Sequence, residues 1–407
     1  MQSVSAPPFA CLVFMGICNH CILHLQSASA EMGSPTFRDR RCFARTITSL
    51  APSLLLHQFS LSIHIYRKDT AMSIYFFEIN DQEQRYLTER LPDETLRFRA
   101  EPLTTADQAR EIAADAEIVS PFVHSRLGAD VIENLPQLKM IATRSTGFDH
   151  INVPDAESRS IPVCNVPTYG ENTVAEHTFA LILALSRNLH KAYVRTVAGN
   201  FSLDGLQGFD LKGKTLGVVG VGHIGEYVMR IAKGFGMHLL AYDPVQDALK
   251  ADHFDFTYTT LEDLMGRSDI VTLHAPAGTA TRHLIGAHNI HQFKRGALLI
   301  NTARGELVDT SALLSALDQG ILQGAGLDVL EGEEVFSEEK QLLQNPHASE
   351  ESLKQALRNH SLLQRPDLVI TPHIGFDSVE AVERILDTTV ANIQAFRRGE
   401  PQNQVHT

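Results

Sequence analysis

From Ser73 onward, short apolar runs alternate with amphipathic stretches, and the alternation predicts the architecture. "SIYFFEI", "AEIVSPFV", "LKMIATRS" and "IPVCNVP" read as strands, with helical "DQEQRYLTERL" after the first and helical "GADVIENL" between the second and third. A second series begins at Lys214. Its strands are "TLGVVGVG", "HLLAYDP", "SDIVTLHAP", "GALLINTA", "GILQGAGLDVL" and "DLVITPHIG", and "HIGEYVMRIAKGFG" is the helix after the first of them. Nearly continuous apolar strands separated by helices are the mark of parallel sheets in an α/β fold. Between the series lies "NTVAEHTFALILALSRNLHKAYVRTVAGN", read as one long helix that Asn172 or Thr173 could cap. Over Phe179 to Leu185 it is apolar on more than one face, which predicts burial by something beyond its own domain core, such as a second subunit. The last helix, "SVEAVERILDTTVANIQAFRRG", starts at a Ser378 cap.

The residues before Met72 do not share this periodicity. They hold four of the five cysteines (Cys11, Cys18, Cys21 and Cys42), several Arg, many Ser and almost no acid. Phe9–Ile17 followed by "SASA" has the outline of a signal peptide, but no Lys or Arg precedes the apolar run. The Arg38–Arg45 cluster has a transit-like composition. The expectation is that residues 1–71 are a disordered or artefactual extension and that the fold begins near Met72. Cys18-Asn-His-Cys21 has no second cysteine pair after it, so no metal site is expected. Cys164, in "IPVCNVP", reads as a small buried side chain. A single cysteine in the folded part argues for a reducing, cytoplasmic compartment.

Composition narrows the function. At 407 residues the chain has room for two domains, and its formal net charge of −13 argues against a nucleic-acid surface. No uninterrupted apolar run is long enough to span a membrane. The expected partner is a small molecule.

The chemistry starts at "GVVGVGHIGEYV". Gly220, Gly222 and Gly225 stand at G-x-G-x-x-G spacing between the strand Thr215–Val219 and a helix over Ile224–Phe235. The first glycine permits the tight turn, the second lets backbone approach a pyrophosphate, and the third lets helix and strand pack closely. The helix N-terminus then offers free N–H groups to the phosphates. Asp243 ends the next strand, placed to accept hydrogen bonds from an adenosine ribose diol and to repel a 2′-phosphate. The cofactor is therefore expected to be NAD. Arg304 in "NTARGELVD", the acids Asp328, Glu331, Glu333 and Glu334 in "GLDVLEGEE", and His373 in "ITPHIGF" each follow the C-terminal end of a strand, where open α/β sheets bind ligands. Together they suit hydride transfer to a 2-oxo acid. Arg304 can grip the carboxylate and polarise the carbonyl. His373 can give a proton to the developing alkoxide, and a Glu beside it favours the charged ring.

At these residues the chain resembles the D-isomer-specific 2-hydroxyacid dehydrogenases. The likeness runs from about Met72 to Arg398 through "RSTGFDHIN", "NVPTYGENTVAEHTFAL", "GVVGVGHIGEYV", "AYDP", "INTARGELVD", "GAGLDVLEGEE" and "TPHIGF". The resemblance implies that Arg304, Glu333 and His373 are catalytic, and that Thr146 and Gly147 belong to the loop that holds the substrate carboxylate. It implies NAD contacts at Gly220, Gly222, His223, Ile224, Gly225, Asp243, Ala275, Pro276, Thr281, Thr302, Ala303 and Asp328. It also implies two Rossmann-like or flavodoxin-like parallel-sheet domains, the NAD domain (172–372) inserted in a discontinuous substrate domain (72–171 and 373–403), and a homodimer built on the helix from Thr173. Within the family the likeness is to the D-lactate dehydrogenase branch, where Phe376 matches an aromatic beside the substrate side chain. Thr146 departs from the apolar residue of that branch. The alternative from another class is an NAD-sensing corepressor-type binding protein of the same fold; another is a dehydrogenase for a different 2-hydroxy acid.

Overall fold

The chain builds two parallel sheets, one after the other. The computed structural model describes residues 71–332 and 350–406. The expectations for residues 1–70 and for Glu333 and Glu334 lie outside the described residues. The first sheet holds β1 (Ser73–Phe76), β2 (Thr95–Phe98), β3 (Ile118–Ser120), β4 (Met140–Ala142) and β5 (Val163–Cys164) in the order β2-β1-β3-β4-β5, all parallel. Between them run α1 (Asp81–Arg90), α2 (Ala106–Ile112), α3 (Ala129–Glu133) and α4 (Val153–Ser158). Capping boxes start two of these helices: Asn80 with Glu83, and Thr105 with Gln108. Both faces of the sheet are buried. Tyr75, Val119, Ile141 and Val163 enter one core, and Ile74, Phe76, Ile118, Met140 and Cys164 enter the other. That is why these strands read as unbroken apolar runs. Burying each large side chain contributes about 1.5–3 kcal/mol. Cys164 is fully buried, as expected, and burial pushes its thiol up to about 11.

The chain crosses to the second sheet through α5 (Glu171–Ser186) and α6 (Leu189–Val197). There follow β6 (Thr215–Val219), α7 (His223–Gly234), β7 (His238–Tyr242), α8 (Ala248–Phe254), β8 (Thr257–Tyr258), α9 (Leu261–Arg267) and β9 (Ile270–Leu273). Next come β10 (Ala297–Asn301), α10 (Thr310–Asp318), β11 (Leu322–Leu327), α11 (Glu350–Leu363) and β12 (Leu368–Ile370). The order is β12-β11-β10-β9-β6-β7-β8, all parallel, and it reverses direction between β6 and β9. That switch point is where such sheets take their ligand. After β12 the chain returns. In α12 (Val379–Arg397), Leu386, Val390 and Ile393 pack on the first sheet, and the Val405 N–H donates to the Val163 carbonyl at 2.9 Å. The second sheet is thus inserted in the chain of the first, and the expected Ser378 cap accepts from the Ala381 N–H.

Three local expectations need correction. The long helix starts at Glu171 with Gly170 at its N-cap, so Asn172 and Thr173 lie inside its first turn. It is also two helices, broken at Asn188, whose left-handed backbone (φ 51°) only Gly, Asn and Asp adopt readily. The apolar residues Phe179, Leu181, Ile182 and Leu185 are buried within the chain against α7 and the second sheet, not left over for a partner. The exposed apolar residues sit further on, at Leu189, Tyr193, Val194 and Val197 of α6 and at Phe201 and Leu203. Among the described residues no helix is long and apolar enough to cross a membrane.

Candidate active site

β6 ends in the glycine loop. Gly220 has φ +95°, and a Cβ there would come within 2.7 Å of the His274 carbonyl oxygen. A Cβ on Gly225 would lie 2.2 Å from the Gly220 carbonyl oxygen, so any larger residue would push α7 off β6. Gly222 differs: a Cβ there would meet nothing within 4 Å, so the loop opens to space at its middle. Gly222 is also the N-cap of α7 and offers no side-chain cap, which leaves the first-turn N–H groups for an anion. The residues fit a dinucleotide pyrophosphate. Asp243, just past β7, accepts from the Val221 N–H and the Val245 N–H, both at 2.8 Å, which ties the carboxylate to the glycine loop. Across the switch point, Ala275 and Pro276 follow β9, and the Thr281 hydroxyl closes their turn by donating to the Pro276 carbonyl at 2.7 Å. His223 and Ile224 open α7, with His223 Nδ1 3.9 Å from Glu171. Thr302 and Ala303 follow β10, and Thr302 Oγ1 lies 2.9 Å from Thr178 Oγ1 of α5.

Arg304 comes next in the chain and reaches the first sheet. Its Nε donates to Asp149 Oδ2 at 3.3 Å and one terminal nitrogen donates to the Ala303 carbonyl at 2.8 Å. The other terminal nitrogen lies where a Cβ on Gly147 would stand, 1.9 Å from that position. Gly147 is glycine because the guanidinium covers it. Thr146 donates its hydroxyl to the Val166 carbonyl at 2.7 Å, and its own carbonyl accepts from the Asn165 amide at 2.8 Å. Its one hydroxyl hydrogen is therefore committed to the scaffold.

His373 sits in a turn wrapped around Asp328. Its N–H donates to the carbonyls of Asp328 (2.9 Å) and Thr371 (3.0 Å), and its φ of +54° lies in the left-handed region. That conformation costs an L-residue roughly 1–2 kcal/mol. The turn is held by the Asp328 carboxylate, which accepts from the Ile374 N–H (2.9 Å), the Gly375 N–H (2.8 Å) and the Thr371 hydroxyl (2.5 Å). Burial raises the Asp328 pKa, but the bonds from His177, Thr371 and Gly375 outweigh it and hold the carboxyl below the ordinary range. Phe376 meets Phe122 edge to face at 5.0 Å between ring centres, and the buried Arg144 guanidinium lies over Phe122 at 5.5 Å. Arg144 donates to the carbonyls of Phe77, Glu78 and Ser120, the ends of β1 and β3.

The structure therefore brings Thr146, Gly147 and Arg304 together, and Asp328, His373 and Phe376 together. Sequence reasoning missed Tyr169, Asp149 and His177, although all three lie inside the motif stretches. Burial pushes the Tyr169 phenol up against the opposing pull of Arg304, with Glu171 and then Asp328 adding to the rise. Of the neighbouring histidines, His150 is lowered to about 4, by burial first and Arg126 second, and His274 to about 3 by burial alone. Both are neutral at physiological pH and hold no imidazolium proton to give. Glu331 is engaged elsewhere: one oxygen is 2.6 Å from His283 Nε2, and the other accepts from the Thr310 hydroxyl at 3.0 Å.

Known proteins resemble this chain over most of its length. Residues 179–375 fit the family model of the D-isomer specific 2-hydroxyacid dehydrogenase NAD binding domain. A 2-hydroxyacid dehydrogenase homolog of Haemophilus influenzae is 38% identical over 291 residues, 71% of this chain and 85% of that protein. The D-lactate dehydrogenase of Escherichia coli is 33% identical over 334 residues, 81% of this chain and 98% of that one. The solved structure of the Aquifex aeolicus D-lactate dehydrogenase, complexed with NAD and lactic acid, superposes with a TM-score of 0.71 at 34% identity. That superposition covers 80% of this chain and 96% of the other. Likeness at this level and length makes the chain a member of the D-isomer-specific 2-hydroxyacid dehydrogenase family, an oxidoreductase that uses NAD.

Proposed function

We propose that this D-2-hydroxyacid dehydrogenase reduces a small 2-oxo acid, pyruvate or a near analogue, to the D-2-hydroxy acid. The observation that carries the reading is the contact of Arg304 with Gly147, because it sets a fixed cation against the loop from Thr146. A carboxylate laid there meets the guanidinium fork, and the same charge polarises the adjacent carbonyl. Bound NADH supplies the hydride. His373 holds the proton that the carbonyl oxygen takes as it becomes an alkoxide, and in the reverse direction it takes that proton back. Glu333 is the acid that orients the ring and favours its charged form; the engagement of Glu331 with His283 and Thr310 supports giving this role to Glu333. The Phe122–Phe376 pair forms an apolar wall for a short substrate side chain. Thr146, with its hydroxyl spent on Val166, adds no donor to that pocket.

Residues 72–171 with 373–403 make the substrate domain in this reading, and 172–372 the NAD domain; the span of the matching family model supports the second range. The glycine loop with His223 and Ile224, and Asp243, Ala275, Pro276, Thr281, Thr302, Ala303 and Asp328, line the cofactor groove. The exposed apolar face of α6 supports a homodimer, and the single buried cysteine of the described fold suits a cytoplasmic enzyme. The test is NADH oxidation by the full chain with a panel of 2-oxo acids of increasing side-chain size. The expected result is turnover that is highest with pyruvate or a near analogue. Tight NADH binding with no turnover of any acid would instead support an NAD-sensing binding protein.

A further inference from the structure

Helix α5 touches all three loops that build the site. Glu171, in its first turn, reaches His223 beside the glycine loop. Further along, His177 and Thr178 are consecutive residues that face different loops. Thr178 Oγ1 lies against Thr302 Oγ1, two residues before Arg304. His177 Nε2 is 3.0 Å from Thr371 Oγ1 and 3.2 Å from Asp328 Oδ1, in the turn that carries His373.

Hydrogen counting gives the direction of these bonds. The Thr371 hydroxyl donates its one hydrogen to Asp328 Oδ1, so toward His177 its oxygen can only accept. The hydrogen therefore sits on His177 Nε2 and is shared between Thr371 and Asp328. The Thr178 hydroxyl donates to the Val174 carbonyl at 2.8 Å, so Thr302 donates to Thr178. One rigid helix thus gives a hydrogen to the His373 turn and takes one from the Arg304 loop. Asp328 in turn fixes the backbone on both sides of His373, through the N–H groups of Ile374 and Gly375 and through its own carbonyl.

We propose that His177 is a positioning residue for the reduction. Its Nε2–H holds Asp328 and Thr371 so that the left-handed turn presents His373 at a fixed separation from Arg304. The inference rests on the reading of His373 as proton donor. It deepens that reading by naming what sets the placement of the donor. Removing His177 frees one side of Asp328 and lets the turn shift, and a misplacement of about 1 Å can cost roughly a hundredfold in rate.

The test is a double-mutant cycle in the full chain, read as kcat and KM with NADH and the fastest 2-oxo acid, with NADH dissociation followed by fluorescence and folding by thermal melting. His177→Ala should lower kcat roughly ten- to hundredfold and change NADH affinity by no more than about threefold. His177→Gln, whose amide N–H takes the place of Nε2–H, should recover most of the loss. In a His373→Ala background the further change to His177→Ala should cost less than about twofold, because the residue acts through His373. If His177→Ala does not fold, Thr371→Val, which removes the shared hydroxyl, should reproduce the loss and the same non-additivity. An undiminished kcat, no recovery by Gln, or an equal loss in both backgrounds overturns the proposal. A His373→Ala enzyme with the wild-type rate overturns the proton-donor reading as well. A slow His373→Ala beside an unimpaired His177→Ala overturns this inference alone.

Discussion

Both oxygens of Asp243 already accept a backbone N–H, from Val221 and from Val245, so the carboxylate is aimed before a cofactor arrives. Lone pairs remain for a ribose diol, whereas a 2′-phosphate would meet like charge. Asp243→Ala should therefore narrow the preference for NADH over NADPH by at least about tenfold, equivalent to about 1.4 kcal/mol; comparing kcat/KM with the two cofactors decides it, and an unchanged ratio would refute it. Two other residues make a stability prediction. His150 is held down to about 4 and His274 to about 3, against an ordinary value of 6.5. As the pH falls below 6.5 the unfolded chain takes a proton on each ring that the folded chain still refuses. The stability these two rings contribute is thus full above that pH and declines as the pH falls toward about 4 for His150 and toward about 3 for His274. Urea midpoints measured across this window should fall with pH, and His150→Asn should make the fall shallower; a pH-independent midpoint would exclude the idea. The motif stretches could be picked out along the sequence because each residue type in them answers a local chemical need. Asp149, Tyr169 and His177 could not be singled out within them, because their partners Arg304 and Asp328 lie far along the chain and only the fold brings them near.

At the scale of elements, two glycines separate folding from function. A Cβ on Gly225 would strike the backbone oxygen of Gly220, which cannot move without displacing α7. A Cβ on Gly147 would strike the end of the Arg304 side chain and crowd the Asp149 carboxylate at 3.2 Å, and both are side chains that can give way rather than backbone. Gly147→Ala should therefore melt within a few degrees of wild type and bind NADH normally, yet lose roughly a hundredfold in kcat/KM for the 2-oxo acid as the guanidinium is displaced. Gly225→Ala should lose both stability and NADH affinity. Equal behaviour of the two variants would contradict the geometry. The strands buried on both faces were plain in the sequence. The strands β2 and β8 were not: they are short edges, and half of "TLRF" is exposed, so little apolar signal marks them. The break at Asn188 was also hidden, because α5 and α6 keep a helical pattern on both sides of one left-handed residue.

At the scale of the whole molecule, the alternation of strands and helices foretold two parallel sheets, and the return of α12 to the first sheet follows from apolar positions at Leu386, Val390 and Ile393. Which helix face is left over could not be read from hydrophobicity, since Phe179–Leu185 and α6 are both apolar and only packing shows which of them is covered. Exposed Tyr193, Val194 and Val197 form one face of α6, so the wild-type chain should sediment as a dimer and Val194→Glu should shift it toward the monomer; a monomeric wild type would remove that face as an interface. The proposed function makes one central claim: the chain reduces a 2-oxo acid with D stereochemistry, using His373 as the proton donor. The most direct test is reduction of pyruvate by NADH, with the product resolved on a chiral column, for wild type and His373→Ala. The account predicts D-lactate from the wild type. It also predicts a loss of roughly two to four powers of ten in kcat for the variant, with NADH affinity preserved. L-lactate as product, or a variant that keeps the wild-type rate, would contradict it.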